Sequence, residues 1–399
     1  MLNESLKLPC GAVIKNRLVK AAMTERLSYD GLPNERHVKL YEHWADTEAG
    51  LLITGNVLID HQHLESAGNI VIDANTKSNQ LAKWTEAARK NGCHIWAQVS
   101  HSGRQTTRFV NSRPKAPSQV QLKKMGLFGV PSELKEAEIH KIIDGFVNAA
   151  IVCKEGGFTG VQIHAAHGYL ISQFLSPITN KRTDQWGGSI ENRSRILREI
   201  VSKVRIAVGA EFPIAVKLNS ADFQRGGFDE NDSLEVIKML DRLKIDLLEI
   251  SGGTYEKLVF FEMEPQKEST KRREAYFIEF AEKVRGISTV PLMVTGGFRT
   301  YSFANETLES GEVDLIGMAR PFILNSHQIR QFINGEIEKL DEVSIRTGLA
   351  SLKDSAEAGF YARNIFRLSQ GKPINTELSP LVSSIVLIVN ELRKAVGRK

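Results

Sequence analysis

A chain of 399 residues, 42% of them hydrophobic and 25% charged, is long enough to bury a substantial core and has the composition of an ordinary globular protein. The formal charge of +5 is modest for this length, and the basic clusters at Lys271-Arg272-Arg273 and at Arg393, Lys394, Arg398 and Lys399 are short and lack interleaved aromatics, which argues against nucleic acid as a partner. Cys10, Cys93 and Cys153 lie far apart without C-x-x-C spacing, which excludes a disulfide framework and a thiolate metal or iron–sulfur site.

Short apolar or β-branched runs recur along the chain at Leu18 to Met23, Leu51 to Thr54, His94 to Val99, Thr159 to His164, Ile214 to Leu218, Asp246 to Ile250, Leu292 to Thr295 and Leu315 to Met318. Helical periodicity fills most of the gaps, at Ser78 to Lys90, Glu136 to Lys154, Ser189 to Val208, Asp229 to Leu243, Ala275 to Val284 and Tyr301 to Glu309. Eight such alternations predict an α/β fold, a closed (β/α)8 TIM barrel. Ahead of it, Leu6 to Ile14, with Pro9 and Gly11 at its turn, predicts a short hairpin that plugs one end. Long connections at Ser100 to Glu133 and Ser251 to Glu274 should stand over the C-terminal face, where barrel active sites lie. Residues 1–371 are expected to form a single domain, and 372–399 a helical extension. The apolar run Val382 to Val389 is too short for a bilayer and should pack on this chain or on a second copy, which leaves room for a homo-oligomer. With no leader peptide visible and no membrane segment, a cytoplasmic location is expected.

If the barrel is right, chemistry should cluster at strand ends. The run His164-Ala-Ala-His167-Gly-Tyr169, continued by Asn180, Arg182, Asp184 and Trp186-Gly-Gly-Ser189, follows a strand and gathers two imidazoles and a phenol. Two neutral imidazoles can hold a substrate oxygen, and a tyrosine, with its reference pKa near 10, can deliver a proton. Thr24, Asn56, Gln98 and Lys217 fall at or near the ends of other strands. Thr295-Gly296-Gly297 and Gly317-Met318-Ala319-Arg320 close the last two, where glycine exposes backbone N–H groups to a phosphate and arginine adds charge.

On these residues the chain resembles the old yellow enzyme family of FMN-dependent NADH:flavin oxidoreductases and ene-reductases, from about Leu6 to about Gly371. The resemblance implies FMN as cofactor and NADH or NADPH as reductant. It implies an electron-poor alkene as substrate, an enone or nitroalkene. It matches His164 and His167 with the pair that binds the substrate's oxygen and Tyr169 with the proton donor. It matches Thr24 with the hydrogen-bond partner of flavin O4, Ala22 and Met23 with residues along the isoalloxazine, and Gln98 and Asn56 with its pyrimidine edge. Lys217 stands where the family often shows arginine beside flavin N1. Gly296, Gly297, Ala319 and Arg320 match the phosphate-binding elements. No G-x-G-x-x-G follows a strand, so reductant and oxidant would take turns over one flavin face.

Plainer or rival readings stand beside these. Zinc could use His164 and His167 with His101, although no carboxylate or thiolate lies at motif spacing, and no metal is expected. Lys217 could pair with a barrel carboxylate, or form a Schiff base in a lyase. The barrel could also carry FMN without catalysis.

Overall fold

The computed structural model describes residues 1–124, 126–253, 279–343, 345 and 353–397. Eight strands form the barrel: β1 (Leu18–Lys20), β2 (Leu51–Leu58), β3 (His94–Ser100), β4 (Gly160–Ala165), β5 (Ile214–Asn219), β6 (Leu247–Ser251), β7 (Leu292–Thr295) and β8 (Leu315–Met318). All pair in parallel in the spatial order β1-β8-β7-β6-β5-β4-β3-β2, and a β1–β2 pairing closes the ring. The closed (β/α)8 barrel expected from the alternation is therefore present. Helices Glu35–Ala45, Ala82–Ala88, Glu136–Glu155, Arg195–Val208, Glu230–Arg242 and Tyr301–Glu309 lie in the connections, with residues 279–285 helical before β7. From residue 254 the 251–274 connection, and with it the basic cluster at 271–273, lies outside the described residues, as do the start of the Ala275 pattern and Arg398 and Lys399.

Alternation along the strands divides the core in two. Outward residues such as Ile95, Ala97, Val99, Val161 and Ile163 pack under the helices. The inward set, Val19, Leu51, Ile53, Trp96, Ala215, Leu247, Met293 and Leu315, fills the N-terminal half of the barrel together with Leu8 and Ile14 of the hairpin. That hairpin pairs Leu6–Lys7 with Val13–Ile14 in antiparallel register, and Gly11 at φ 91° makes its turn.

Two elements differ from the sequence reading. The Glu35–Ala45 helix is an addition to it, although its buried Leu40, Tyr41, Trp44 and Ala45 repeat at helical spacing and Asn34 caps it by accepting from the Arg36 N–H. Strand β2 continues past Thr54 through a register shift between Ile53 and Asn56, so Asn56 lies inside the strand and not after it.

The helix Lys353–Leu368 packs against the helix Pro380–Gly397, so closely that a Cβ on Gly359 would lie 2.5 Å from the Ser383 backbone. The other side of the last helix exposes Val382, Ile385 and Ile388. Among the described residues no helix is long and apolar enough to cross a membrane.

Trp96 fits the barrel floor because its neighbour Gly160 has no side chain: a Cβ there would come 2.5 Å from the indole Nε1. Gly160→Ala should therefore lower stability by about 1–3 kcal/mol through overpacking, measured as a shift in the urea midpoint at unchanged m-value.

Candidate active site

On four adjacent strands, β3 to β6, inward positions two residues apart climb from apolar to polar. Trp96 is followed by Gln98 and Ser100, Gly160 by Gln162 and His164, Ala215 by Lys217 and Asn219, and Leu247 by Glu249 and Ser251. The middle layer is one hydrogen-bonded network. Gln98 Nε2 donates to Gln162 Oε1 at 2.7 Å, and Gln162 Nε2 donates to Glu249 Oε2 at 2.8 Å. Glu249 Oε1 receives the Lys217 ammonium at 2.7 Å and the Thr295 hydroxyl at 2.6 Å. Glu249 is fully buried. Lys217 thus has the barrel carboxylate that its plain reading foresaw.

Above this layer sit the imidazoles. His164 Nδ1 lies 3.0 Å from Asn56 Oδ1 and 3.3 Å from Ser100 Oγ, and its Nε2 lies 3.2 Å from His167 Nδ1. His167 Nε2 lies 2.7 Å from Ser251 Oγ. The two rings meet at 79° with centroids 5.3 Å apart, and the Tyr169 ring is 4.7 Å from that of His164. His167 reaches this place through a left-handed backbone at φ 59°, followed by Gly168 at φ 76°. Asn219 Oδ1 accepts from the His167 N–H at 3.2 Å, and Gln105 Nε2 donates to its carbonyl at 3.1 Å, which holds the turn. Desolvation first, then the charge of Lys217 and, for His164, that of His167, keep both imidazoles well below the usual histidine pKa. Both are neutral at working pH.

Thr24 and Met23 come close because β2 has a glycine beneath them. A Cβ on Gly55 would lie 2.4 Å from the Met23 carbonyl and 2.8 Å from Thr24 Cα. The Thr24 hydroxyl donates to Glu65 Oε2 at 2.8 Å, and Asn56 Nδ2 donates to the same oxygen at 2.8 Å. Arg26 pairs with Glu65 at 3.2 Å and with Glu391 of the last helix at 3.2 Å. Ala22 and Ala319 pack beside the inward core. After β7, Gly296 and Gly297 have φ 110° and 85°, and a Cβ on Gly296 would meet nothing within 4 Å, so this backbone faces open space. Arg320 hydrogen-bonds Tyr361, with Arg299 also near that ring.

Glu65, Gln162, Glu249, Arg299 and Tyr361 were not singled out by sequence. Gln162 and Glu249 carried a signal, a polar residue inside an apolar strand and two positions from a strand-end group. The others are joined to the site only by the fold.

His101 does not join the imidazole pair. With Asp60 and His63 it forms the one trio at metal-ligand spacing among the described residues, facing atoms lying within 4.8 Å. However, the Lys115 N–H donates to His63 Nε2 at 3.1 Å and the Gly103 N–H to His101 Nδ1 at 3.0 Å. The ring hydrogens therefore sit on the nitrogens that face Asp60, where a cation would need lone pairs. The two rings face the Asp60 carboxylate, His63 Nδ1 at 3.0 Å and His101 Nε2 at 3.4 Å.

A parallel barrel with a polar mouth, an imidazole pair and a glycine-rich turn beside arginines is the scaffold of a flavin-dependent oxidoreductase. The model of the NADH:flavin oxidoreductase / NADH oxidase family matches residues 7–336, and the chain belongs to that family, the old yellow enzymes, whose cofactor is FMN. It is 38% identical over 340 residues to an NADH-dependent flavin oxidoreductase of Aspergillus parasiticus, covering 81% of this chain and 76% of that one. It is 35% identical over 351 residues to another of Neonectria sp., covering 81% of this chain but 45% of the relative's length. Among solved structures it is similar to the old yellow enzyme homologue from Zymomonas mobilis (TM-score 0.71, 27% identity, 86% of this chain and 95% of that one). A 2-naphthoyl-CoA reductase gives TM-score 0.76 at 26% identity, over 84% of this chain and 52% of that one.

Two predictions follow from the site's electrostatics. Lys217→Met should cost about 3–5 kcal/mol by leaving Glu249 buried without a cation, and Lys217→Met/Glu249→Leu should recover most of it in chemical denaturation. His37 and His101, both lowered to about 3 chiefly by burial, refuse protons in the folded state, as do His164 and His167. The unfolded chain takes those protons up near pH 6.5, so stability should be full above about pH 7. Below pH 6.5 it should fall by about 1.4 kcal/mol per pH unit for each of these histidines, seen as a declining melting temperature between pH 7 and pH 5.

Proposed function

We propose that the protein takes hydride from NADH or NADPH into FMN and reduces the activated C=C bond of an α,β-unsaturated carbonyl or nitro compound. The observation that carries this reading is the convergence of His164, His167 and Tyr169 on one spot above a polar barrel mouth. When bound, FMN supplies the hydride carrier. Gly296, Gly297 and Arg320, with Ala319 beside them, would hold its phosphate, and Ala22 and Met23 would pack along its ring. Gln98 Nε2 donates to Gln162 inside the barrel, and its amide oxygen is suited to accept an N–H from the pyrimidine edge near Asn56. Thr24 and Lys217 line the same ring, but each already serves a carboxylate, Thr24 that of Glu65 and Lys217 that of Glu249.

The imidazole pair binds the substrate oxygen on which negative charge grows as hydride reaches the β-carbon, so its contact tightens in the transition state. Tyr169 delivers a proton to the α-carbon from the opposite face, giving net trans addition. A cytoplasmic setting suits a reductant of this kind.

The test is a spectrum and a rate. The purified protein should show flavin absorption bands, bind p-hydroxybenzaldehyde with a long-wavelength charge-transfer band, and consume NADH or NADPH anaerobically with cyclohexenone or a nitroalkene, with parallel initial-rate lines. A flavin-loaded protein without turnover on any of these would favour a binding role. Tyr169→Phe should slow alkene reduction at least about 100-fold, the usual worth of general acid catalysis, and leave flavin reduction by NADH nearly unchanged in stopped-flow. Equal slowing of both half-reactions would remove Tyr169 from the proton-donor role.

A further inference from the structure

The last helix, Pro380–Gly397, carries two unlike arcs. One packs on the helix Lys353–Leu368, with Gly359 lying against the Ser383 backbone. Two of its charges are spent on loops at the barrel mouth: Glu391 serves Arg26, the Ser66 hydroxyl and the Ala67 N–H, and Lys394 serves the Arg26 carbonyl and stands 4.8 Å from the centre of the Tyr29 ring. The other arc is apolar and turned outward. Its Leu381, Ile385, Ile388, Val389, Leu392 and Val396 are between 37% (Leu392) and 72% (Val396) exposed. At 3.6 residues per turn the six fall in one stripe about 100° wide, and their spacings of three and four residues are those of a helix-pairing seam. No charged residue occurs from Leu381 to Asn390, and Arg393 borders the stripe at its far end.

We propose that this stripe is a homodimer interface, in which the last helices of two copies pair antiparallel about a two-fold axis between Ile388 and Val389. The stripe is self-complementary in that register. Leu381 meets the partner's Val396, Ile385 meets the partner's Leu392 and Ile388 meets the partner's Val389, each contact occurring twice, so every one of the six finds an apolar side chain. Charge selects the direction. A parallel pair would set Arg393 against the partner's Arg393 and like helix ends side by side, whereas the antiparallel pair puts Arg393 beside the partner's Ser384 and opposite dipole ends together. The area is sufficient. Six aliphatic side chains about half exposed leave about 500 Å² of apolar surface, near the upper end of what a monomer shows to water. Two copies would cover about 1,000 Å² in all, where specific interfaces begin. A lipid surface fits less well, because a helix lying on a bilayer keeps a basic face toward the headgroups and aromatic residues in its apolar face. Here the stripe holds no aromatic residue and the polar arc is occupied by this chain's own helix and loops.

The experiment is sedimentation equilibrium of the full-length protein at micromolar concentration. The wild type should have twice the chain mass of 44.5 kDa. Ile385→Lys/Leu392→Lys should weaken association at least about 30-fold, the loss expected for one buried anchor. Leu381→Cys/Val396→Cys should form a disulfide-linked dimer on mild oxidation and Leu381→Cys alone should not, with wild type oxidised in parallel to account for the half-buried Cys10. If the lysine variant does not fold, the wild-type mass and the cross-link decide. A monomeric wild type, a dimer indifferent to the two lysines, a double-cysteine variant that does not cross-link, or cross-linking by Leu381→Cys alone would overturn the proposal. A wild type that is monomeric and floats with phospholipid vesicles would give the stripe to a lipid surface instead. Mass and cross-linking are read without turnover, so this test and the functional reading stand or fall separately.

Discussion

A polar side chain that points into a closed barrel has little solvent to fall back on, so its hydrogen bonds end mainly on protein. In this chain two buried carboxylates serve as the ends. Glu249, fully enclosed, collects Lys217, Thr295 and, through Gln162, Gln98. Glu65 collects Arg26, Thr24 and Asn56, and through Asn56 the imidazole pair. Both act as sinks toward which donors align. The polar mouth is therefore pre-oriented before any ligand arrives, which is the condition for electrostatic stabilisation without reorganisation.

The same networks change what individual residues can offer. Lys217 is a cation whose partner is an anion 2.7 Å away, so the positive charge it projects into the barrel mouth is much reduced. Thr24 has one hydroxyl hydrogen, and it points to Glu65. Gln98 has its amide nitrogen committed to Gln162. Residue identity at these positions resembles the family, while donor and acceptor character is dictated by Glu249 and Glu65. Strain adds to the ordering: His167 sits in a left-handed conformation that the Asn219 and Gln105 contacts hold, and its ring is thereby brought beside His164.

Much of the fold was legible in the sequence because a parallel strand buried on both faces reads as a short apolar run. All eight runs became strands, and β7 and β8 kept their limits. The pattern was less informative where one strand bends: Gly55 and Asn56 read as a strand end, yet β2 runs through them because the register shift lets the ladder resume. The site residues near strand ends were legible because they stand at the close of apolar runs: His164 ends the run from Thr159, and Lys217 falls one residue before the end of the run from Ile214. Glu65 was not, because it lies in a loop of mixed polarity and meets Thr24 and Asn56 only after the chain has closed around Gly55. Arg299 and Tyr361 were illegible for the same reason, being brought near Arg320 by tertiary packing.

The end of the chain enters this electrostatic arrangement as well. Glu391 of the last helix accepts from the Ser66 hydroxyl at 2.7 Å and from the Ala67 N–H at 2.8 Å, and its carboxylate shares Arg26 with Glu65. Lys394, one turn on, donates to the Arg26 carbonyl. Arg26 is thus held from both its backbone and its guanidinium by a helix far away in sequence, at a left-handed φ of 59°. With one guanidinium between two carboxylates, the position of the helix bears on how much positive charge Glu65 feels, and Glu65 in turn holds Asn56 beside His164. The Arg26 and Ser66 loops and the last helix are therefore one electrostatic unit beside the Glu65 carboxylate.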